Sequence, residues 1–385
     1  GDLRLFLHQM LVIGSKTHSV AQVQRQRQDA ESIVCKLRGQ LLKPLGAAGN
    51  EPDPLDLRKH LMDLTGKFQP KPGGCTGNVC GFDEPRWFEQ KSAIFSAGLR
   101  DMDAILGRDD RLVAKLADVA QKVDATFAAV IGTPVPAVIA TDYLALKRMT
   151  ERKINLPVLT VDTDGMELYD KGEEKAFLEL FKTFAVQKYP VDEKRVGILG
   201  MTPQDVSDLA AADKIRDLFR QKQDMQAVCY CMGDGLEEVK KASSVSKNIV
   251  VSPAAITTAQ YLEKTFGTPY EIDYPLVEEL LPEIDYTNKK ILVVHQQVIA
   301  DSVRRELQNR GAGSVQTAGW FMMKKELQKE KDTALRDEED YIELVRNGDF
   351  DIIFADECMK QMTADFDGMF VNMRHFAVSG KLIGR

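Results

Sequence analysis

The chain has little that would place it in a membrane and little that would hold it to nucleic acid. Its best apolar stretch, 128–140, is interrupted by Gly132, Thr133, Pro134 and Pro136, whereas a helical bilayer span needs ~20 consecutive apolar residues. No secretory leader is evident, although the chain opens on Gly1 rather than Met, so its natural N-terminus is expected upstream. Basic residues are outnumbered: 51 Lys and Arg against 58 Asp and Glu leave a net charge of -7, without the positive excess that phosphate backbones require. Six cysteines in 385 residues are too few for a disulfide scaffold. There is no Gly-x-x-x-x-Gly-Lys-Ser/Thr, so ATP binding by this chain itself is not expected. No Gly-x-Gly-x-x-Gly follows a strand, which argues against a dehydrogenase. These absences leave a soluble, cytoplasmic protein that docks a protein partner as the expectation.

What is present is ordinary globular composition, 44% hydrophobic and 28% charged, in a chain longer than one core usually serves. Phe127-Ala-Ala-Val-Ile-Gly132 reads as a buried strand, 143–152 as a helix, and Leu156-Pro-Val-Leu-Thr-Val161 as the next strand. The pattern restarts at Arg195-Val-Gly-Ile-Leu-Gly200 and runs through 225–231, Asn248-Ile-Val-Val-Ser252 and a helix over 254–266. It restarts again at Lys289-Lys-Ile-Leu-Val-Val-His295 and reaches Phe350-Asp-Ile-Ile-Phe-Ala-Asp356. Continuous apolar runs separated by helices mean parallel sheets covered on both faces. The expected architecture is α/β: three Rossmann-like doubly wound parallel-sheet domains around a central cleft. They are placed at 1–190, 191–285 and 286–385, with polar boundaries carrying Pro190 and Pro282. Within the first, Met10-Leu-Val-Ile-Gly14 reads as a strand, and about 20–85 as an irregular insertion that contains cysteine.

Ligands of open α/β sheets collect beyond the carboxyl ends of the strands. That rule selects the loops at Thr133 and Pro134, at Gly233, Asp234 and Gly235, at Ser252 and at His295. Small residues there let backbone approach a bulky ligand, and hydroxyls supply directional contacts; the same glycines and prolines also simply build βα turns. Cys75-Thr-Gly-Asn-Val-Cys80 lies in a glycine-rich loop of the kind that wraps an iron–sulfur cluster. It offers two of four ligands, and loop thiols or a labile disulfide are the alternative. Cys229 and Cys231 are expected in the core, and Cys358 as a buried thiol. His18 and His295 sit at strand ends and can face a cleft, while His8, His60 and His375 have no marked context.

Taken together, the strand-end motifs carry a family resemblance. Ile131-Gly-Thr-Pro-Val-Pro-Ala-Val-Ile-Ala-Thr-Asp142, followed by Leu156-Pro-Val-Leu-Thr-Val-Asp-Thr-Asp-Gly-Met166, resembles the first-domain core of nitrogenase component 1-like proteins. Gly233-Asp-Gly-Leu-Glu-Glu-Val239, Asn248-Ile-Val-Val-Ser-Pro253 and Phe266-Gly-Thr-Pro-Tyr270 resemble the second-domain core, and the strand at 289–295 with Asp349-Phe-Asp-Ile-Ile353 fits the third. Leu11-Val-Ile-Gly-Ser-Lys-Thr-His18 is similar to an N-terminal segment of dark-operative protochlorophyllide reductases. The family comprises nitrogenase, its cofactor scaffold, tetrapyrrole reductases, a reductive tetrapyrrole cyclase and methylthio-alkane reductases.

The resemblance implies pairs of homologous subunits, electrons from a separate ATP-hydrolysing iron protein, and an iron–sulfur cluster, 4Fe-4S in type, shared between subunits. Its cysteine positions are altered here: Pro134, His18 and Ser252 stand where cluster or cofactor cysteines would. A dinitrogen-reducing cofactor bound through position 252 is therefore not expected. Cys75, Cys80 and His18 become the candidate metal ligands. Thr133, Pro134, Gly233, Asp234, Gly235, Ser252 and His295 become the candidate lining of a substrate or cofactor site. The expected role is a subunit reducing a substrate other than dinitrogen. The alternative is a non-catalytic scaffold that binds a metallocluster or tetrapyrrole.

Overall fold

A computed structural model of the chain describes residues 10–15, 92–96, 109–121, 125–132, 140–164, 166–230 and 232–383. The chain divides into two compact units, Gly1–Gly165 and Met166–Arg385.

The first unit holds a sheet of order β2-β1-β3-β4, with β1 at Met10–Ser15, β2 at Ser92–Ser96, β3 at Ala125–Ile131 and β4 at Val158–Val161. β3 and β4 run parallel, Ala128 opposite Val158, and are joined through helix α2 (Tyr143–Ile154), as a parallel pair requires. β1 is antiparallel to both β2 and β3, an antiparallel strand in an otherwise parallel α/β sheet. Helix α1 (Asp109–Ala120) buries Leu112, Val113, Leu116 and Val119, the i, i+1, i+4, i+7 stripe of a helix lying on a core. α2 starts on the Asp142 carboxylate, which accepts from the N–H groups of Leu144 and Ala145 at 3.0 and 2.9 Å.

The second unit opens with α3 (Tyr169–Phe184) and contains two all-parallel sheets. One has the order β6-β5-β7-β8, from β5 (Asp192–Leu199), β6 (Gln226–Cys229), β7 (Val245–Val250) and β8 (Tyr270–Ile272). The other has the order β11-β10-β9-β12-β13, from β9 (Lys290–Val294), β10 (Ser314–Gly319), β11 (Thr333–Ala334), β12 (Ile352–Ala355) and β13 (Met369–Asn372). In each, chain order reverses beside a central strand, between β5 and β7 and between β9 and β12. Those are the topological switch points at which open α/β sheets bind ligands.

The apolar runs explain the layers. Ile291 and Val293 of β9 face a core shared with Val196, Ile198 and Ile249 of the other sheet. Leu292 and Val294 face a separate core with Tyr341, Ile353 and Ala355. Period-two alternation with both faces covered demands an unbroken apolar strand. Among the described residues no helix is long and apolar enough to cross a membrane.

Candidate functional site

Five strand ends and the first turn of α3 bring their side chains together in the second unit. After β5, a short helix at Pro203–Val206 carries Asp205. After β7, Ser252 starts a 3-10 turn at Pro253–Ala255, its hydroxyl accepting from the Ala254 N–H at 3.3 Å. His295 follows β9, Phe321 follows β10, and His375 follows β13. Asp205, Ser252, His295 and His375 are 2%, 1%, 3% and 1% exposed, so each polar group has its water replaced by protein.

The geometry is specific. The His295 and His375 rings stack with centroids 4.2 Å apart and planes inclined by 18°. Phe321 meets His375 edge-on at 5.3 Å and Tyr169 at 4.7 Å. The Tyr169 hydroxyl donates to Asp205 Oδ1 at 2.5 Å, and His375 Nε2 lies 3.8 Å from the same oxygen, beyond a hydrogen bond. His295 Nε2 is 3.0 Å from the Arg374 carbonyl, an acceptor only, so the ring donates there and leaves Nδ1 as a bare lone pair. That Nδ1 is buried and makes no hydrogen bond.

The loop bearing His375 is pinned from two sides. Asp356, at the end of β12, accepts from the His375 N–H at 2.9 Å and the Ser379 hydroxyl at 2.7 Å. Ser207 donates to the Arg374 carbonyl at 3.2 Å and accepts from the Phe376 N–H at 2.7 Å. Gln296 ties the two sheets: its amide donates to the Val251 carbonyl at 2.6 Å while its carbonyl accepts from the Val298 N–H at 2.7 Å.

Burial dominates the charge states. It pushes Tyr169 well above the ordinary phenol range, with Asp205 adding to the shift, so Tyr169 remains a donor. It also pushes Asp205 upward, but the adjacent His375 imidazole and the hydroxyls of Ser252 and Tyr169 outweigh it and hold the carboxyl below its usual value. His295 falls to about 3, through burial and then the neighbouring His375, and stays neutral at physiological pH. The result is an ionised carboxylate beside one imidazole and a neutral imidazole stacked on it. Behind His295 lies a cavity of about 310 Å³, with Tyr274, Glu279, Asn372 and Arg374 among an otherwise apolar lining.

Of the residues singled out from sequence, Ser252 and His295 are in this cluster. Gly233, Asp234 and Gly235 form the turn after β6. There the Asp234 carboxylate accepts from the Cys229 N–H at 2.7 Å and the Arg216 guanidinium at 3.0 Å, and Gly233 sits at φ +138°. Thr133, Pro134, His18, Cys75, Cys80 and Cys231 lie outside the described residues. Cys229 is buried, with its thiol pushed up to about 12 by burial. Cys358 is on the surface rather than buried: the 3-10 turn at Glu357–Thr363 turns Met359 inward and Cys358 outward. Its thiol also rises to about 12, through partial desolvation and then Asp356. Asp205, Tyr169 and His375 were not selected. For His375 a signal existed, since Met369-Phe-Val-Asn-Met373 is an apolar run after a turn and places His375 just beyond a strand end.

Residues 72–276 match the family described as Nitrogenase component 1 type Oxidoreductase. The fold is similar to that of "Nitrogenase Cp1 at pH 6.5", with a TM-score of 0.58 and 12% identity over 76% of this chain and 79% of that one. It is similar also to "Nitrogenase Cp1 at pH 5", with a TM-score of 0.57 and 14% identity over 77% of this chain and 76% of that one. No curated protein matches by sequence.

Proposed function

The chain belongs to the nitrogenase component 1 type oxidoreductases, and from that premise we propose that it is a subunit of a nitrogenase-like reductase acting on a substrate other than dinitrogen. The observation that carries the reading is the convergence of Ser252, Asp205, His295 and His375 at the two switch points, beside a cavity of about 310 Å³. A substrate in that cavity would meet His295, whose ring is fixed by the Arg374 carbonyl. His375, its backbone N–H held by Asp356, backs that ring by stacking on it at 4.2 Å.

An iron–sulfur cluster would supply one-electron transfer. Among the described residues no group of three His, Cys, Asp or Glu converges with metal-ligand spacing. The two described thiols, Cys229 and Cys358, are both held protonated and belong to different sheets. They do not fit a cluster, so the candidate ligands on this chain are Cys75, Cys80 and His18, with the remainder from a homologous subunit. Electrons would come from a docked ATP-hydrolysing iron protein, and the location is expected to be cytoplasmic.

Anaerobic purification with iron and acid-labile sulfide analysis tests this. A brown protein bleached by Cys75→Ala or Cys80→Ala is the expected result. A protein that stays colourless and iron-free beside its partner subunit would sink the redox role and favour the non-catalytic scaffold reading.

A further inference from the structure

We infer that the junction of the two sheets of the second unit, where the resemblance would seat a metallocofactor, is closed by this chain's own side chains and holds no metal cluster. The inference rests on the family reading, which is what makes the junction a metal site to be tested at all.

Three observations carry it. The first is donor chemistry. Ser252 stands at the expected thiolate position, and its hydroxyl is engaged with Asp205 and the Ala254 N–H. Asp205 in turn takes the Tyr169 hydroxyl. Neutral hydroxyls bound to protein partners are poor iron ligands, so among these residues only the ring nitrogens His295 Nδ1 and His375 Nε2 remain as donors to a metal, with no thiolate beside them.

The second observation is the direction of the two imidazoles. An imidazole lone pair lies in the ring plane, and a metal–nitrogen bond is ~2.1 Å long. Rings stacked 4.2 Å apart with planes inclined by only 18° have lone pairs in two nearly parallel sheets of space. Those planes meet far beyond bonding distance, so one ion cannot be bound by both rings. The stack uses the ring faces of His295 and His375 against each other and prevents them from chelating one ion together.

The third is space. Gly200, at φ +89°, already brings the end of β5 so close that an added Cβ would lie 2.9 Å from Ser252 Cβ and 2.8 Å from Ala255 Cβ. With Phe321 and Tyr169 closing the edge of the stack, the position is packed as core. The nearby cavity of about 310 Å³ has no thiol in its lining.

The test uses the full chain with its partner subunit, purified anaerobically and reconstituted with ferrous iron and sulfide. Bound iron and visible absorption are compared for the wild type, the triple variant Cys75→Ala/Cys80→Ala/His18→Ala, and the single variants Ser252→Ala and His375→Ala. The expected result is loss of this chain's iron in the triple variant and unchanged iron in both single variants. Ser252→Ala keeps the experiment readable where His375→Ala unfolds, which circular dichroism reports. Iron that persists in the triple variant but is lost in Ser252→Ala would overturn the inference. Iron persisting in all variants supports a closed junction and instead refutes the ligand set proposed above. A wild type without iron supports the closed junction while sinking the cluster-dependent function.

Discussion

His295 and Asp205 make the stability of this chain depend on pH in one direction. In the unfolded chain a histidine binds its proton near pH 6.5, whereas in the fold His295 does so only at about 3. Between those values the unfolded state holds more protons, so stability is lost as pH falls, at up to ~1.4 kcal/mol per pH unit. Asp205, lowered below its usual value, acts in the same sense at the acidic end. The melting temperature is therefore expected to drop between pH 7 and pH 4, with a shallower dependence in His295→Gln; an identical slope in that variant would exclude His295 as the source. Asp205→Ala leaves the Tyr169 hydroxyl buried without its acceptor and removes the carboxylate that faces Ser252 and His375. Its cost, read from urea unfolding, is expected at about 1–3 kcal/mol, and Asp205→Asn should cost less because an amide oxygen still accepts.

At this scale part of the site was legible and part was not. Ser252 and His295 each follow a long apolar run, so the strand-end rule finds them. Asp205 lies in a short helix six residues past the end of β5, and Tyr169 in the first turn of α3. No local pattern marks Asp205 as a neighbour of His375, 170 residues away, or Tyr169 as the donor to Asp205, 36 residues away, and only tertiary packing makes them so.

Elements set the precision of that packing. Gly200 ends β5 in the left-handed region and leaves no room for a Cβ between Ser252 and Ala255. Gly200→Ala combines a left-handed penalty of ~1–2 kcal/mol with overpacking of ~1–3 kcal/mol. A loss of roughly 2–5 kcal/mol in denaturant unfolding is expected, and a neutral effect would show that this strand end can relax. Glu174 of α3 takes the Thr257 hydroxyl at 2.6 Å and the Lys324 ammonium at 2.5 Å, anchoring the segment after β10 that carries Phe321. Both partners hold its carboxyl below the ordinary range despite the opposing push of partial burial. Glu174→Ala is expected to raise hydrogen exchange at 320–324 while leaving β9 protected, and unchanged exchange there would argue that Gln297, which also holds Lys324, suffices.

For the molecule as a whole, the two sheets of the second unit share one apolar core, from Val196 and Ile215 to Val293 and Phe354. Neither can expose its inner face without exposing the other's. A fragment covering 166–385 is therefore expected to fold alone and melt in one cooperative transition. Two resolved calorimetric transitions within that fragment would contradict the shared core.

The sequence by itself determined the α/β class and the parallel character of most of its sheets, because a strand covered on both faces must be apolar throughout and each crossover needs its helix. It also fixed which loops lie at strand ends, and with them Ser252 and His295. Tertiary structure alone decided that β1 runs antiparallel, that Asp234 closes a turn onto Arg216, and that His375 stacks on His295 against Asp205. Those outcomes depend on contacts between segments far apart in the chain, whose energy comes from burial and directional hydrogen bonds formed only when the sheets pack. Local periodicity carries no record of them.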